Sequence, residues 1–286
     1  MLFVAANREY IDMIIRNMEM TDEDSAKIVN MTSLLNRVTS ISNTLKKSTK
    51  TRTESVITKA YNNGYAKALV DMGEVESIKA GLKSIEYTDT QQSTLDKLIS
   101  DTYKDLSMAT LYMDSSAKKF IRMKTSEAMQ LKAAIQSGNM SLVMSLLSNF
   151  SEKRLEADAY RQGFTGIVDS AGRRWNLETY AEMVIAAKMQ QSYIYGISDI
   201  SHELNKGLFV ISSHNAIDAC SMWEGEIITV GDKRDEYYSY EEIAATYECF
   251  HPNCKHYITP ISESLAELYS PKRNPLSKKF KSKLKK

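Results

Sequence analysis

Cysteine, histidine and proline are scarce in this 286-residue chain, and most of its length has none of the first two. The first 201 residues contain neither cysteine nor histidine. All three cysteines and three of the four histidines lie between Ser212 and Ile261. Side chains that bind a soft metal or act as thiol nucleophiles are therefore confined to one region. We expect any chemistry or structural metal site of this chain to lie there.

The small number of cysteines also excludes one class of protein. Three cysteines without a repeating framework argue against a secreted disulfide scaffold and favour a reducing compartment. The first 17 residues lack the basic segment and long apolar stretch of a signal peptide. No window approaches the roughly 18 uncharged apolar residues that a membrane helix needs. The composition therefore predicts a soluble protein without contact to a membrane.

The net charge of +1 hides an uneven distribution of charge. Eight of the 37 Lys and Arg residues lie within residues 272–286, which contain no acid, so 29 basic side chains face 36 acidic ones in the rest. We predict that residues 271–286 form a flexible basic tail that contacts DNA through its phosphates, by counterion release and without sequence preference. The predicted contact residues are Lys272, Arg273, Lys278, Lys279, Lys281, Lys283, Lys285 and Lys286.

The chain contains no proline up to about Gly163, and glycine is sparse there, which predicts a helical domain over residues 1–162. Asp22 or Asp24 is a suitable N-cap for a helix that runs to about Leu45. Apolar residues at three- and four-residue steps predict further helices. These cover Glu54–Asp71, Thr90–Leu106, Ser115–Gln136, Ser141–Phe150 and Ser151–Arg161.

The composition changes at Gly163, and residues 163–270 are predicted to form a small α+β domain. Residues 164–177 are predicted to form a hairpin or tight turn, followed by a helix over 178–205 with Gly207 as its left-handed C-cap. GLFVISS, EGEIITV and HYITPI are predicted strands, and helices are expected over 240–247 and 263–269. The fold class is therefore α+β, with a mostly helical N-terminal half.

The cysteines and histidines suggest a zinc site, which needs about four sulfur or nitrogen ligands in a tetrahedron. Cys220, Cys254 and His256 are the best candidates, and His214, His251 or Cys249 supplies the fourth ligand. A Cys-x-His pair at the start of a strand places both side chains on one side of the pleat. The chain has no CxxC pair, however, so the cysteines are alternatively small buried hydrophobic residues.

A catalytic alternative uses Cys254 as a thiolate activated by His251 or His256. Candidates for the orienting third group are Asp218, Glu248 and Asn253, but none stands at a known signature spacing. We therefore predict no catalytic residues. A metal- or thiol-dependent hydrolase using His214, Cys254 and His256 is the alternative hypothesis.

Four blocks in this region resemble a known family in their order along the chain. They are GRRWNLETYAEMV at 172–184, SSH at 212–214, CSMWEGEI at 220–227 and FHPNCKH at 250–256. Together they resemble the phage minor capsid proteins, relatives of the Mu F-like head-morphogenesis proteins. The resemblance implies a structural, non-enzymatic component of the virion, located with the portal inside the head and acting in head assembly and in genome packaging or delivery.

The same resemblance implies which molecules the protein meets. Its expected partners are the portal protein, the major capsid protein or both, together with packaged DNA, and no small-molecule substrate. The protein is expected in the virion, in the capsid interior or portal region, and in the host cytoplasm during assembly.

The sequence departs from the family pattern at one position. Family members commonly carry a CxxC pair just before the WEG-like turn, whereas Ile217 stands here at the first of these two positions and Cys220 at the second. We predict that His214 substitutes for the missing cysteine, which gives a predicted zinc set of His214, Cys220, Cys254 and His256.

Overall fold

The computed structural model describes residues 2–18, 31–161, 166–168 and 174–269. Its helices are α1 (Leu2–Met18), α2 (Met31–Asp71), α3 (Ile78–Lys83), α4 (Asp89–Gln136), α5 (Met140–Leu147), α6 (Glu152–Arg161), α7 (Leu177–Glu203), α8 (Tyr240–Thr246) and α9 (Glu263–Tyr269). Its strands are β1 (Gly166–Val168), β2 (Arg174–Asn176), β3 (Leu208–Ile211), β4 (Ile227–Thr229), β5 (Tyr238–Ser239) and β6 (Ile258–Ile261). The α+β prediction is confirmed. None of the described helices combines the length and apolar character needed to cross a bilayer.

Two pairs of predicted helices are continuous in the structure. The helices predicted to end near Leu45 and to begin at Glu54 are both parts of α2, and the two predicted within 90–136 are both parts of α4. Neither segment between the predicted helices contains glycine or proline, so nothing interrupts the helical hydrogen bonds. The proposed caps Asp22 and Asp24 lie outside the described residues.

The predicted hairpin and strands are present. β1 and β2 pair antiparallel, with Ile167 opposite Trp175, and the turn between them lies outside the described residues. The larger sheet has the strand order β5-β4-β3-β6. β3 runs antiparallel to β4 and β6, and these three are the predicted strands. The additional strand β5 pairs parallel to β4 and was not predicted from the sequence.

The C-terminal end of α7 differs from the prediction. Asn205, not Gly207, adopts the left-handed conformation, with φ of 57°. The amide of Lys206 donates to the carbonyl of Ser201 over 2.7 Å, and that of Asn205 donates to the carbonyl of His202 over 3.0 Å. This pair of bonds is a Schellman motif, in which asparagine is the commonest substitute for glycine. The helix therefore ends two residues earlier than predicted.

The described chain forms two compact units built from discontinuous segments. One comprises residues 1–52 and 103–182, and the other comprises residues 53–102 and 183–286. The consecutive domains predicted over 1–162 and 163–270 remain a prediction. The second unit contains the larger sheet and all the cysteines, so it positions the candidate site.

The core of the second unit continues into the cysteine region. Its buried residues come from α2, α4, α7 and the sheet, and include Tyr61, Ile197 and Phe209. Cys220 and Cys249 belong to the same cluster. The cysteine region is therefore packed against the core and is not a separate surface loop.

A capping box begins α8 and provides a test of this part of the fold. The Ser239 hydroxyl oxygen accepts from the amide of Glu242 over 3.1 Å, and the Glu242 carboxylate accepts from the amide of Ser239 over 3.0 Å. We expect Ser239→Ala to lower the free energy of unfolding by about 1 kcal/mol. Glu242→Gln retains both acceptors and is the control. Chemical denaturation measures both, and equal losses would contradict this assignment.

Candidate metal centre

The three cysteines reach the candidate site from two parts of the chain. Cys220 lies in a 3-10 helix over Ala219–Trp223, where the Asp218 carboxylate accepts from the Cys220 amide over 3.0 Å. Cys249 and Cys254 lie in the connection between α8 and β6. A hydrogen bond of 2.9 Å from the Cys254 amide to the carbonyl of His251 turns this connection back on itself.

Left-handed residues shape the connection between α8 and β6. Tyr247, Phe250 and Asn253 have φ of 57°, 56° and 66°. Asparagine tolerates this conformation, but for tyrosine and phenylalanine it costs about 1–2 kcal/mol each. Such a loop persists only where surrounding interactions hold it.

Gln190 of α7 supplies some of those contacts. Its side-chain amide donates to the carbonyl of Cys254 over 3.1 Å and to the carbonyl of His256 over 2.9 Å. This fixes the backbone of the Cys-x-His pair against the helix. Sequence reasoning missed Gln190, although it precedes the buried Ile194 and Ile197 by four and seven residues and so lies on their face of the helix.

Four ligand atoms converge at the centre of the site. The Sγ atoms of Cys220, Cys249 and Cys254 and a ring nitrogen of His256 all lie within 4.8 Å of one another. Sγ of Cys254 is 3.8 Å from Sγ of Cys220 and 3.3 Å from Nδ1 of His256. Cys220, Cys249 and His256 are buried, and Cys254 is half-buried. We call Cys220, Cys249, Cys254 and His256 the sulfur group. It contains three of the four predicted ligands and adds Cys249.

His214, the remaining predicted ligand, belongs to a different group. Its side chain is 40% exposed, and its Nδ1 lies 3.6 Å from Oε1 of Glu224. The ligand atoms of His214, Glu224 and His256 form a second group within 4.8 Å, which His256 shares with the sulfur group. Ile217, at the position of the missing CxxC cysteine, is fully exposed. Cys249, which the sequence left open as a fourth ligand, therefore completes the sulfur group.

Glu224 is held in place by the backbone around it. Its Oε1 accepts from the amides of His214 and Ala216 over 2.9 and 3.0 Å, and these bonds lower the pKa of Glu224 to about 2. The same oxygen lies 3.2 Å from Nε2 of His256. The carboxylate therefore faces the histidine ring on the side opposite the sulfurs.

His251 contacts only one edge of the sulfur group. Its Nε2 is 3.2 Å from Sγ of Cys220 and 3.9 Å from Oδ2 of Asp218, while its Nδ1 donates to the carbonyl of Pro252 over 2.9 Å. Its ring groups with Asp218 and Cys220 but not with the other two thiols. His251 is therefore placed to support Cys220 from outside the group.

The thiols of the group have different affinities for protons. Hydrogen bonds from the Cys249 thiol and from the backbone amide of His256 lower the pKa of Cys254 despite its burial. The hydrogen bond to Cys254 raises the pKa of Cys249, and burial together with the charge on Cys254 raises that of Cys220. The group therefore stabilises a negative charge on Cys254, as a site for a soft cation requires.

Comparison with known proteins gives the family. A family model described as Phage minor capsid protein 2 matches residues 1–278. The chain belongs to this family. It is accordingly a phage structural protein of the capsid, as the four sequence blocks indicated, and a component of the virion. No curated protein and no solved structure matches the chain significantly.

The geometry favours a structural use of the cysteines over thiol catalysis. A thiol nucleophile needs an accessible sulfur beside a free base. Cys254 instead contacts two other thiols and the buried ring of His256. This arrangement agrees with the structural character of the family. The predicted DNA-contacting residues, from Lys272 to Lys286, lie outside the described residues.

Proposed function

We propose that this capsid protein is located with the portal on the inside of the phage head and acts in head assembly and in genome packaging or delivery. The resemblance to portal-associated head proteins supports this location. The main support from this chain is its uneven charge, because a basic tail follows a body with 29 basic and 36 acidic side chains. The tail contacts packaged DNA, while the acidic body avoids nonspecific adhesion to it.

The tail is the part of this proposal that can be tested on the purified protein. We expect Lys278, Lys279, Lys281 and Lys283→Gln together to weaken binding to duplex DNA. The slope of log K against log salt should fall by about 0.9 for each lost phosphate contact, or roughly 3.6 in total. Filter binding at salt concentrations from about 50 to 200 mM gives both the affinity for DNA and the slope of log K against log salt.

A variant of the body with the same change in charge is the control. Lys47, Lys50, Arg52 and Lys59 all lie on α2, and all four are exposed. Their replacement by glutamine is expected to leave the salt slope unchanged. If both variants weaken DNA binding equally, the contact is not made by the tail and this part of the proposal is wrong.

The portal contact is tested with purified components. We expect the full chain to form a complex with the portal protein encoded by the same phage, measured by sedimentation velocity at physiological salt. No complex with either the portal or the major capsid protein would contradict the proposed location.

A hydrolase using His214, Cys254 and His256 remains the alternative. Convergence of Cys249 and Cys220 on Cys254 supports the structural role instead.

A further inference from the structure

We propose that Sγ of Cys220, Cys249 and Cys254 and Nδ1 of His256 bind one zinc ion in a closed, structural site. The ion links the 3-10 helix at Ala219–Trp223 to the connection between α8 and β6. This inference does not depend on the location of the protein in the head, since it concerns only how the second unit is held together.

Two distances between ligand atoms are close to those of a zinc tetrahedron. With Zn–S bonds of about 2.3 Å, two sulfurs of a tetrahedral site lie about 3.8 Å apart. Sγ of Cys220 and Sγ of Cys254 are 3.8 Å apart. A disulfide would require about 2.05 Å between them. A sulfur and an imidazole nitrogen on one zinc are about 3.6 Å apart, and Cys254 Sγ and His256 Nδ1 are separated by 3.3 Å.

The orientation of His256 also fits a ligand. Its Nε2 lies 3.2 Å from a carboxylate oxygen of Glu224, which accepts hydrogen bonds but does not donate them. The proton is thereby assigned to Nε2, and Nδ1 directs its lone pair toward the sulfurs. A carboxylate bound to the far nitrogen is the usual partner of a zinc-binding histidine. Glu224 is therefore a positioning residue for His256.

Cys249 is a better fourth ligand than His214 or His251. Cys249 is buried and lies within 4.8 Å of the other three ligand atoms, whereas the rings of His214 and His251 fall into separate groups. With three thiolates and one imidazole, no position is left for water or substrate, as in structural zinc sites. Each thiol that is protonated before binding releases its proton to solvent.

Zinc content of the purified full-length protein tests the proposal. Under reducing conditions we expect one zinc per chain in the wild type, measured by elemental mass spectrometry. Cys249→Ser should reduce this content at least tenfold. His214→Ala is the matched control and should retain one zinc. Wild-type protein that neither contains zinc nor takes it up on titration overturns the proposal, as does zinc lost from His214→Ala but retained in Cys249→Ser.

Cobalt substitution of the wild type keeps the test decisive if Cys249→Ser does not fold. Cobalt in a tetrahedral site gives intense ligand-field bands, and its sulfur-to-metal charge-transfer absorption increases with the number of thiolates. We expect the intensity of a three-thiolate site. An intensity typical of two thiolates would instead support the set His214, Cys220, Cys254 and His256, and would overturn the proposed ligands.

The role of Glu224 has its own measurement. Glu224→Gln keeps an oxygen for the amides of His214 and Ala216 but removes the charge beside His256. We expect zinc affinity in a chelator competition to fall about 10–100-fold, with an unchanged cobalt spectrum. Glu226→Gln, two residues further along, is the control and should leave the affinity unchanged. Equal affinities of wild type and Glu224→Gln would contradict the positioning role.

Discussion

Replacing Gly64 by alanine is expected to destabilise the protein by about 2–3 kcal/mol, although alanine is the better helix former. Gly64 lies on α2, and a Cβ placed on it would overlap the carbonyl oxygen of Tyr193 on α7. The contact is reciprocal, because a Cβ on Gly196 of α7 would overlap the carbonyl oxygen of Tyr61 on α2. The two helices thus meet backbone to backbone, and neither carbonyl can move without shifting its helix.

The neighbouring residue Asn63 separates this effect from helix propensity. Alanine favours a helix by about 1 kcal/mol over glycine and by less over asparagine. Asn63 is partly exposed. Its replacement by alanine should therefore leave the free energy of unfolding unchanged or raise it slightly. Urea denaturation of Gly64→Ala, Gly196→Ala and Asn63→Ala measures the difference. A Gly64→Ala protein as stable as the wild type would show that the helices do not cross at these glycines.

The second large effect concerns Lys124 of α4, a charged side chain that is only 1% exposed. Its ammonium group lies 2.9 Å from Asp158 and 3.0 Å from Glu127, and it stands about 5.8 and 5.7 Å from the ring centres of Phe120 and Phe150. Removing the main partner leaves a buried charge with too few compensating contacts. We expect Asp158→Ala to cost about 3 kcal/mol.

Removing the lysine of the same ion pair should destabilise the protein less than removing Asp158. Lys124→Met fills the apolar volume without a charge, and Asp158 keeps Arg154 and Arg161 at 3.4 and 2.9 Å. We expect this variant to lose less than about 1.5 kcal/mol. Equal losses for Asp158→Ala and Lys124→Met, measured by urea denaturation, would contradict the burial of this charge.

The pH dependence of stability provides an independent check of this pair. Burial alone would raise the pKa of Asp158, but the hydrogen bond and charge of Lys124, with Arg154 and Arg161, hold it below its ordinary value. Since the pKa is lower in the folded state, its stabilising effect is complete above the unfolded pKa of about 3.9 and is lost as the pH falls further. We expect the acid limb of the stability curve to be shallower in Lys124→Met.

Local sequence patterns were sufficient for most of the fold. The sequence predicted α9 and a hairpin or tight turn where β1 pairs with β2, because each depends on neighbours within a few residues. The continuity of α2 was missed, since polar residues between two apolar stretches look like a loop although nothing in them stops a helix. The two-residue strand β5 was missed because its parallel pairing with β4 is set by tertiary packing alone.

The sequence predicted the residue types and the region of the candidate site, but not every residue that forms it. Clustering along the sequence identified the right region, and three of the four favoured residues converge. The position of Cys249 depends on left-handed conformations at Tyr247 and Phe250, and aromatic residues give no sequence signal for that conformation. Likewise, Gln190 reaches the site from a helix 64 residues away from Cys254 in sequence, so its role appears only in the folded chain.

The most direct test of the proposed location is the amount of this protein in purified phage heads assembled with and without the portal protein. Quantitative mass spectrometry against the major capsid protein gives the copy number in each. A protein located with the portal should be present in few copies in complete heads and absent from heads without a portal. Equal amounts in both would place it elsewhere in the capsid and contradict the account.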